Sequence, residues 1–490
     1  MKTTSLGLLA LGVLLLGLAT PGASSLLGRF RRGRNKNGFL PPPPIPEGKE
    51  RLGEQWLEQP VDHFNPTDTR IWSQKYYTNF EFYKEGGPVF LMIGGEGPAS
   101  QGWMYSGSWY DNAKQLNAAL FQVEHRYYGY SHPTEDMSTE NLVYLSSEQA
   151  LADLATFTIA MQKEMGLQDN KWIVFGGSYA GSLAAWYRLK YPHLAHGAIA
   201  TSAPVDAKVD FREYFDVVRN SLATASEDCN IAIKAANEEM ETLLLDAAGW
   251  GVLSERFRLC SALDATIQDD VSLLFEALAD NFAYVVQYNN ELGSTNIELV
   301  CGIMQDESLG TPLDRYQEVN RILLNEFGET CLEHRYDVMI KAMQSSKWEE
   351  NMDGGRAWVY QTCTEFGWYQ SSDSEEQPFA HQFPLDFFID MCQDVYGTNF
   401  TKELLYKGVD RTNAMYGGLH PDVTRVVFPN GSIDPWHSIS ILVDLGSEVH
   451  AILINGTAHC ADMYSHSPED PPELDRAREE IFNLIQKWLS

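Results

Sequence analysis

Residues 171–194 read KWIVFGGSYAGSLAAWYRLKYPHL. Trp172, Ile173, Val174 and Phe175 form an apolar run of the length expected for a fully buried strand. Gly176-Gly177-Ser178-Tyr179-Ala180-Gly181 follows, and then Leu183, Trp186, Tyr187 and Leu189 fall at helical spacing. A strand that runs through a glycine-flanked serine into a helix places that serine at the helix N-terminus. Backbone N–H groups there can stabilise a developing oxyanion. The pattern is G-x-S-x-A, with Ala180 where a second glycine is usual and Gly181 one position later. Glycine-serine turns also serve as plain loops, so Ser178 needs partners before its reading becomes chemical.

Around this turn, strand-like and helix-like runs alternate. QKYYTNFEFY, PVFLMIGGEG, AALFQVEHRYYG, KWIVFGGS and AHGAIATSAPV read as strands, and Ser147 to Met165 and Leu183 to Lys190 as helices. The alternation returns near the C-terminus with VTRVVFPNGSIDPWH, EVHAILINGTAHC and an amphipathic helix from Glu473 to Leu489. Such alternation predicts an α/β fold, a mostly parallel sheet with helices on both faces. Residues 207–409 carry helical patterns and cysteines but no comparable strand series. The expected organisation is a signal peptide (1–25), a basic, proline-rich leader (26–47), an α/β unit in two parts (48–206 and 410–490) and a helical cap (207–409) between them.

A serine nucleophile needs a base, and the base an orienting acid. In the α/β-hydrolase fold these follow the serine as Asp or Glu and then His, each after a late strand. Asp434 follows RVVFPNGSI and His459 follows AILINGTA, both in turn-rich sequence, so Ser178, Asp434 and His459 form the expected triad. His437 is the nearest rival for the base, while His420 and His450 are weaker ones. GGEG at Gly94–Gly97 offers an early glycine-rich loop, so the backbone amides of Tyr179 and Gly95 are the expected oxyanion donors. Glu96 is either a solvated loop carboxylate or a contact for substrate charge. Trp436 and Tyr179 are candidate walls of the substrate pocket, with Trp436 as plain core the alternative.

Composition bounds the function. The 490 residues carry a net charge of −31, which disfavours nucleic acid and anionic membranes. The apolar run Leu6–Leu18 after Lys2 reads as a secretory signal, and nothing later reaches the roughly 18 apolar residues of a membrane span. Residues 1–46 hold six basic and no acidic residues, leaving −37 on the remainder, a charge that protonation in an acidic compartment would relieve. The chain is therefore expected in the secretory pathway, delivered to lysosomes or endosomes or released. Seven cysteines suit an oxidising route. Cys229, Cys260, Cys301, Cys331, Cys363 and Cys392 cluster in the cap, allowing fifteen pairings, and Cys460 stands apart as the unpaired one. No spacing fits a zinc site, so neither metal nor cofactor is expected. Sequons at Asn399, Asn430 and Asn455 are candidate glycosylation sites. Peptides are the expected substrates, and homodimerisation stays open.

Five separated blocks, GGEGP, EHRYYGYSHP, GGSYAGSLAAWYRLKYPHL, NGSIDPWH and GTAHCADM, occur in this order over roughly residues 50–490. Together they resemble the serine peptidase family of lysosomal prolyl carboxypeptidase and dipeptidyl peptidase II. NMDGGRAWVYQTCTEFGWYQ adds a likeness to its thymus-specific serine protease branch. The resemblance implies an α/β-hydrolase fold interrupted by a helical SKS cap, with Ser178, Asp434 and His459 as triad. It implies cleavage of short peptides after proline or small residues, from one end or the other. It also implies the pairs Cys229–Cys301, Cys260–Cys331 and Cys363–Cys392. Several members have glycine at the position of Ala180, and prolyl carboxypeptidase has a cysteine pair that this chain lacks. The expected function is thus a serine exopeptidase acting by acyl transfer, of carboxypeptidase or dipeptidyl peptidase type. An esterase or lipase of the same fold and an inactive peptide-binding protein are the alternatives.

Overall fold

The computed structural model describes residues 40–291, 295–352 and 354–490. The expected signal peptide and most of the leader lie outside them. The strands are β1 (Gln55–Pro60), β2 (Ile71–Asn79), β3 (Val89–Ile93), β4 (Ala119–Val123), β5 (Trp172–Gly177), β6 (Gly197–Thr201), β7 (Lys208–Asp210), β8 (Gly367–Tyr369), β9 (Val426–Gly431) and β10 (Val449–Ile454). Helices α1 (Ser108–Leu116), α2 (Ser147–Met165) and α3 (Tyr179–Lys190) interleave with the early strands. The inserted region holds α4 (Glu213–Ala223), α5 (Glu227–Leu243), α6 (Ala247–Arg256), α7 (Gln268–Gln287), α8 (Ile297–Gln305), α9 (Pro312–Glu326), α10 (Tyr336–Met343), α11 (Gly355–Gln361), α12 (Leu385–Tyr396) and α13 (Lys402–Tyr416). Helix α14 (Pro472–Leu489) closes the chain.

Eight strands form one sheet in the order β1-β2-β4-β3-β5-β6-β9-β10. The β1–β2 and β2–β4 pairs are antiparallel and the rest are parallel. The two central strands, β3 and β5, carry no polar side chain because both faces are covered. Val89, Leu91 and Ile93 of β3 and Trp172 and Val174 of β5 face one core, with Leu151, Leu154 and Phe157 of α2 and Leu183, Trp186 and Tyr187 of α3. Their alternates Phe90, Met92, Ile173 and Phe175 face the other, with Trp109 of α1 and Ile481, Ile485 and Trp488 of α14. This is the α/β-hydrolase architecture.

Helix α2 runs over the span read from its pattern: Ser146 Oγ accepts from Gln149 N–H and Gly166 ends the helix at φ 70°. Two features were not read in the sequence. Strand β1 pairs antiparallel with β2 at the sheet edge, and its first four residues alternate between half-buried and exposed rather than forming an apolar run. The inserted region also contains β7 and β8, three residues each, paired in parallel and too short to leave a periodic signal.

Three disulfides staple the helical cap: Cys229–Cys301 joins α5 to α8, Cys260–Cys331 flanks a bridge between Leu259 and Leu332, and Cys363–Cys392 anchors α12. These are the pairs the resemblance implies. Each limits the freedom of the unfolded cap and contributes about 2–4 kcal/mol. Cys460 is free and buried.

Candidate active site

Strand β5 ends at Gly177 and α3 begins at Tyr179, leaving Ser178 alone in the turn with φ 59° and ψ −133°. A non-glycine residue held there is strained, and surrounding contacts must hold it. Ser178 N–H donates to Thr201 O at the end of β6, and its carbonyl accepts from Gly181 and Ser182 N–H. A Cβ on Gly176 would overlap the Ala180 carbonyl, and one on Gly181 would lie 2.6 Å from Thr201 O. The close approaches of the elbow thus fall at positions 176 and 181, so Ala180 is accommodated where glycine is more usual. Helix α3 starts four residues before the span read from its apolar spacing, directly on the serine.

Asp434 follows β9 and caps a short 3₁₀ turn, Pro435–Ile439, accepting from Trp436 N–H through Oδ1 at 3.0 Å. Its Oδ2 accepts from His459 Nδ1 at 2.8 Å, and both side chains are fully buried. Position after successive parallel strands brings them together, since β9 and β10 pair in parallel. The other histidines do not share the acid: His437 bonds Asp434 only as backbone, His420 is exposed, and His450 faces Asp444 at 3.8 Å. The Nδ1 contact leaves Nε2 of His459 on the far edge of the ring, without a hydrogen-bond partner among the described residues. Burial pushes the His459 imidazole down, but the Asp434 carboxylate and the adjacent Cys460 outweigh it, so the imidazole lies well above its ordinary value. Burial also pushes the Cys460 thiol up.

The Gly94–Ser100 loop lies beside the elbow, with Gly95 against Ala180 at the start of α3. Glu124, from the EHRYYGYSHP block, holds this loop: its carboxylate accepts from Ala99, Tyr130 and Ser131 and pairs with Lys75 Nζ at 2.7 Å. A cavity of about 80 Å³ separates the loop from Ser178 and Met463. Glu96 and Trp103 line it, and so do Leu40 and Pro42 of the proline-rich segment. That segment is pinned at Pro41, whose carbonyl accepts from Tyr464 Oη.

Three sequence expectations need correction. Tyr179 does not wall the cavity with its side chain: the ring is fully buried, with Oη between His125 Nε2 and Gln361 Nε2. Of Tyr179, only the backbone N–H is left as a candidate oxyanion donor. Trp436 also stands away from the cavity, in a buried aromatic cluster with Phe211, Tyr214 and Trp368. Asn430 lies inside β9, 1% exposed, with Nδ2 donating to Phe428 and Ile441 carbonyls, so burial keeps a glycan off it in the folded chain. Asn399 and Asn455 are exposed. Sequence reasoning missed Gln287, whose carbonyl accepts from His459 N–H at 2.9 Å, and Ser202, whose Oγ accepts from Cys460 N–H at 3.0 Å. Neither sits in a motif.

Asp462, three residues after His459, accepts from Thr201 Oγ1 at 2.9 Å. Its carboxyl is pushed up to about 6, chiefly by burial. A raised carboxyl contributes stability that is fully present below the unfolded value of 3.8 and is lost as pH rises through about 6. We therefore expect Asp462→Asn to shrink the stability difference between pH 5 and pH 7.5 by about 1–2 kcal/mol. Thermal midpoints of both forms at the two pH values measure it, and an unchanged difference would show that this carboxyl does not titrate there.

Residues 59–481 match the family described as serine carboxypeptidase S28. The mouse (Mus musculus) thymus-specific serine protease is 37% identical over 506 residues, covering 100% of this chain and 98% of the mouse protein. Its human (Homo sapiens) counterpart is 36% identical over 446 residues, covering 89% and 86%. The mouse lysosomal Pro-X carboxypeptidase is 28% identical over 499 residues, covering 98% and 97%. With a serine elbow, a paired His459 and Asp434 and this match along most of its length, the chain belongs to the S28 family of serine peptidases.

Proposed function

We propose that the chain is a serine exopeptidase that shortens small peptides by acyl transfer, with Ser178, His459 and Asp434 as its triad. The observation that carries this reading is enclosure: Ser178 is 7% exposed and opens on a cavity of about 80 Å³ between the Gly94 loop and Met463. Such a space takes a chain end or a compact side chain better than the middle of a folded substrate. Proline and small residues suit it by size, in keeping with the Pro-X name of one relative.

In the proposed reaction His459 Nε2 takes the Ser178 Oγ proton as Oγ bonds to the scissile carbonyl carbon. The N–H groups of Tyr179 and Gly95 hold the resulting oxyanion. Collapse breaks the C–N bond, and the proton on Nε2 passes to the leaving amine. Water then attacks the acyl-serine, giving one proton to Nε2, and Nε2 returns a proton to Oγ as the Oγ–C bond breaks and the acid product leaves.

The proposed setting is the secretory route, entered through residues 1–25 and ending in lysosomes, endosomes or the extracellular space. Glu291, pushed up to about 7 mainly by burial near Asp470, joins Asp462 in favouring the folded state at acid pH. The raised base works the other way, since protonated His459 accepts no proton. Stability thus favours acid and turnover favours neutrality. Asn399 and Asn455 are the proposed glycan carriers.

The test is incubation of the purified protein with a peptide library at pH 5, 6 and 7.5, with products read by mass spectrometry and Ser178 followed by a fluorophosphonate probe. We expect probe labelling and release of one or two residues from one end. Cuts inside long peptides would overturn the exopeptidase reading. Absence of labelling would overturn the enzyme reading itself.

A further inference from the structure

Gln287 ends α7, a cap helix, yet it touches both loops that carry the base and its acid. Its main-chain carbonyl accepts from His459 N–H at 2.9 Å. Its side-chain Oε1 accepts from Trp436 Nε1 at 3.0 Å and from Tyr214 Oη at 2.8 Å. Trp436 N–H in turn donates to Asp434 Oδ1, and Asp434 Oδ2 accepts from His459 Nδ1. These contacts close a ring: Gln287 to His459, His459 to Asp434, Asp434 to Trp436, and Trp436 back to Gln287. The glutamine is 6% exposed, and the indole is packed edge-on or tilted against Tyr214, Phe211 and Trp368. Buried Trp N–H and Tyr O–H donors need an acceptor, and a glutamine carbonyl oxygen has two lone pairs to offer.

We infer that Gln287 is a positioning residue through which the cap fixes the catalytic base: it clamps the His459 loop by its backbone and the Asp434–Trp436 turn by its side chain. The inference rests on the proposed triad. It gives the cap a part in ordering the reacting groups, because both clamped loops belong to the hydrolase half and neither is joined to the cap by a disulfide. The nucleophile stands outside the ring, held by Thr201 and α3. Loosening the clamp therefore displaces base and acid relative to the serine and leaves the substrate cavity unchanged. None of the ring residues lines that cavity.

That separation sets the test. Gln287→Met keeps the main-chain carbonyl and the length of the side chain but removes the Oε1 acceptor. Trp436→Phe keeps a buried aromatic ring but removes the donor. We expect each to lower kcat by on the order of tenfold to a hundredfold, the cost of misplacing a catalytic group by about 1 Å. KM should stay within about threefold, since substrate binding is not the function removed. The double variant should be no slower than the slower single variant, because both break the same bond. Gln287→Glu, which keeps an acceptor oxygen at the Oε1 position, should recover most of the Gln287→Met loss. Fluorophosphonate labelling of the full-length wild type checks the triad separately. If the wild type labels and turns over but Gln287→Met matches it in kcat, the clamp is wrong while the triad stands. Multiplicative losses in the double variant, or a rise in KM with kcat unchanged, would equally overturn it. Should Gln287→Met fail to fold, Trp436→Phe carries the decision by the same kcat and KM criteria, and Gln287→Glu is then expected to stay near the wild-type kcat.

Discussion

Ser178→Ala is expected to remove turnover almost entirely, by on the order of 10⁴–10⁶-fold in kcat, while leaving the protein folded. The size follows from the way a triad works as a unit: without Oγ there is no acyl-serine, and His459 and Asp434 have no proton to move toward a nucleophile. What remains is slow attack by water on a carbonyl held by the proposed oxyanion donors, the Tyr179 and Gly95 amides. Stability should change little. The contacts that hold residue 178 at φ 59° are made by its backbone, N–H to Thr201 and carbonyl to Gly181 and Ser182, and alanine keeps them all. The change is one oxygen atom facing a cavity, so we expect less than about 1 kcal/mol. Thermal unfolding, kcat/KM on the best library peptide and fluorophosphonate labelling measure the three quantities. Labelling that persisted in Ser178→Ala would move the nucleophile elsewhere, and a large drop in thermal midpoint would make the loss of activity uninformative.

The sequence made the candidate reacting centre legible because the pattern that suggests it depends on residue type and on position along the chain. A buried apolar strand, small residues around one serine, and an aspartate and a histidine after two later strands are all written in local pattern. The parallel register of β9 and β10 then brings Asp434 and His459 together. The direction of side chains was not legible. Tyr179 and Trp436 lie beside Ser178 and Asp434 in sequence, yet the helical turn and the 3₁₀ turn swing their rings into packed interiors, where Gln361, His125 and Gln287 satisfy their polar ends. Nor was the burial of Asn430, whose sequon is a local string while its solvent exposure is a property of the sheet. Gln287 was invisible for a different reason. It acts partly through a backbone carbonyl, which every residue has, and it lies over 140 positions from Asp434 with nothing periodic linking them.

The identity of the base is tested most sharply through its acid. Asp434→Asn is expected to lower kcat by about 10³–10⁴-fold, since an amide in place of Oδ2 can donate to Nδ1 and favour the wrong tautomer. His459→Ala should be at least as severe, whereas His437→Ala should keep most activity because its side chain makes no bond to the acid. The pH dependence gives an independent sign. In the wild type, burial lowers His459 but Asp434 and Cys460 raise it further, and turnover needs the neutral ring. The acid limb of kcat/KM should therefore lie above the ordinary histidine value of about 6.5. Asp434→Asn removes the carboxylate and leaves burial less opposed, so the limb should move to lower pH even as the plateau collapses. A structural defect alone would lower the plateau without moving the limb. A pH–rate profile of the residual activity, taken from pH 4.5 to 9, separates the two. A limb unmoved in Asp434→Asn, or His437→Ala slower than His459→Ala, would mean that another pair performs the proton transfer.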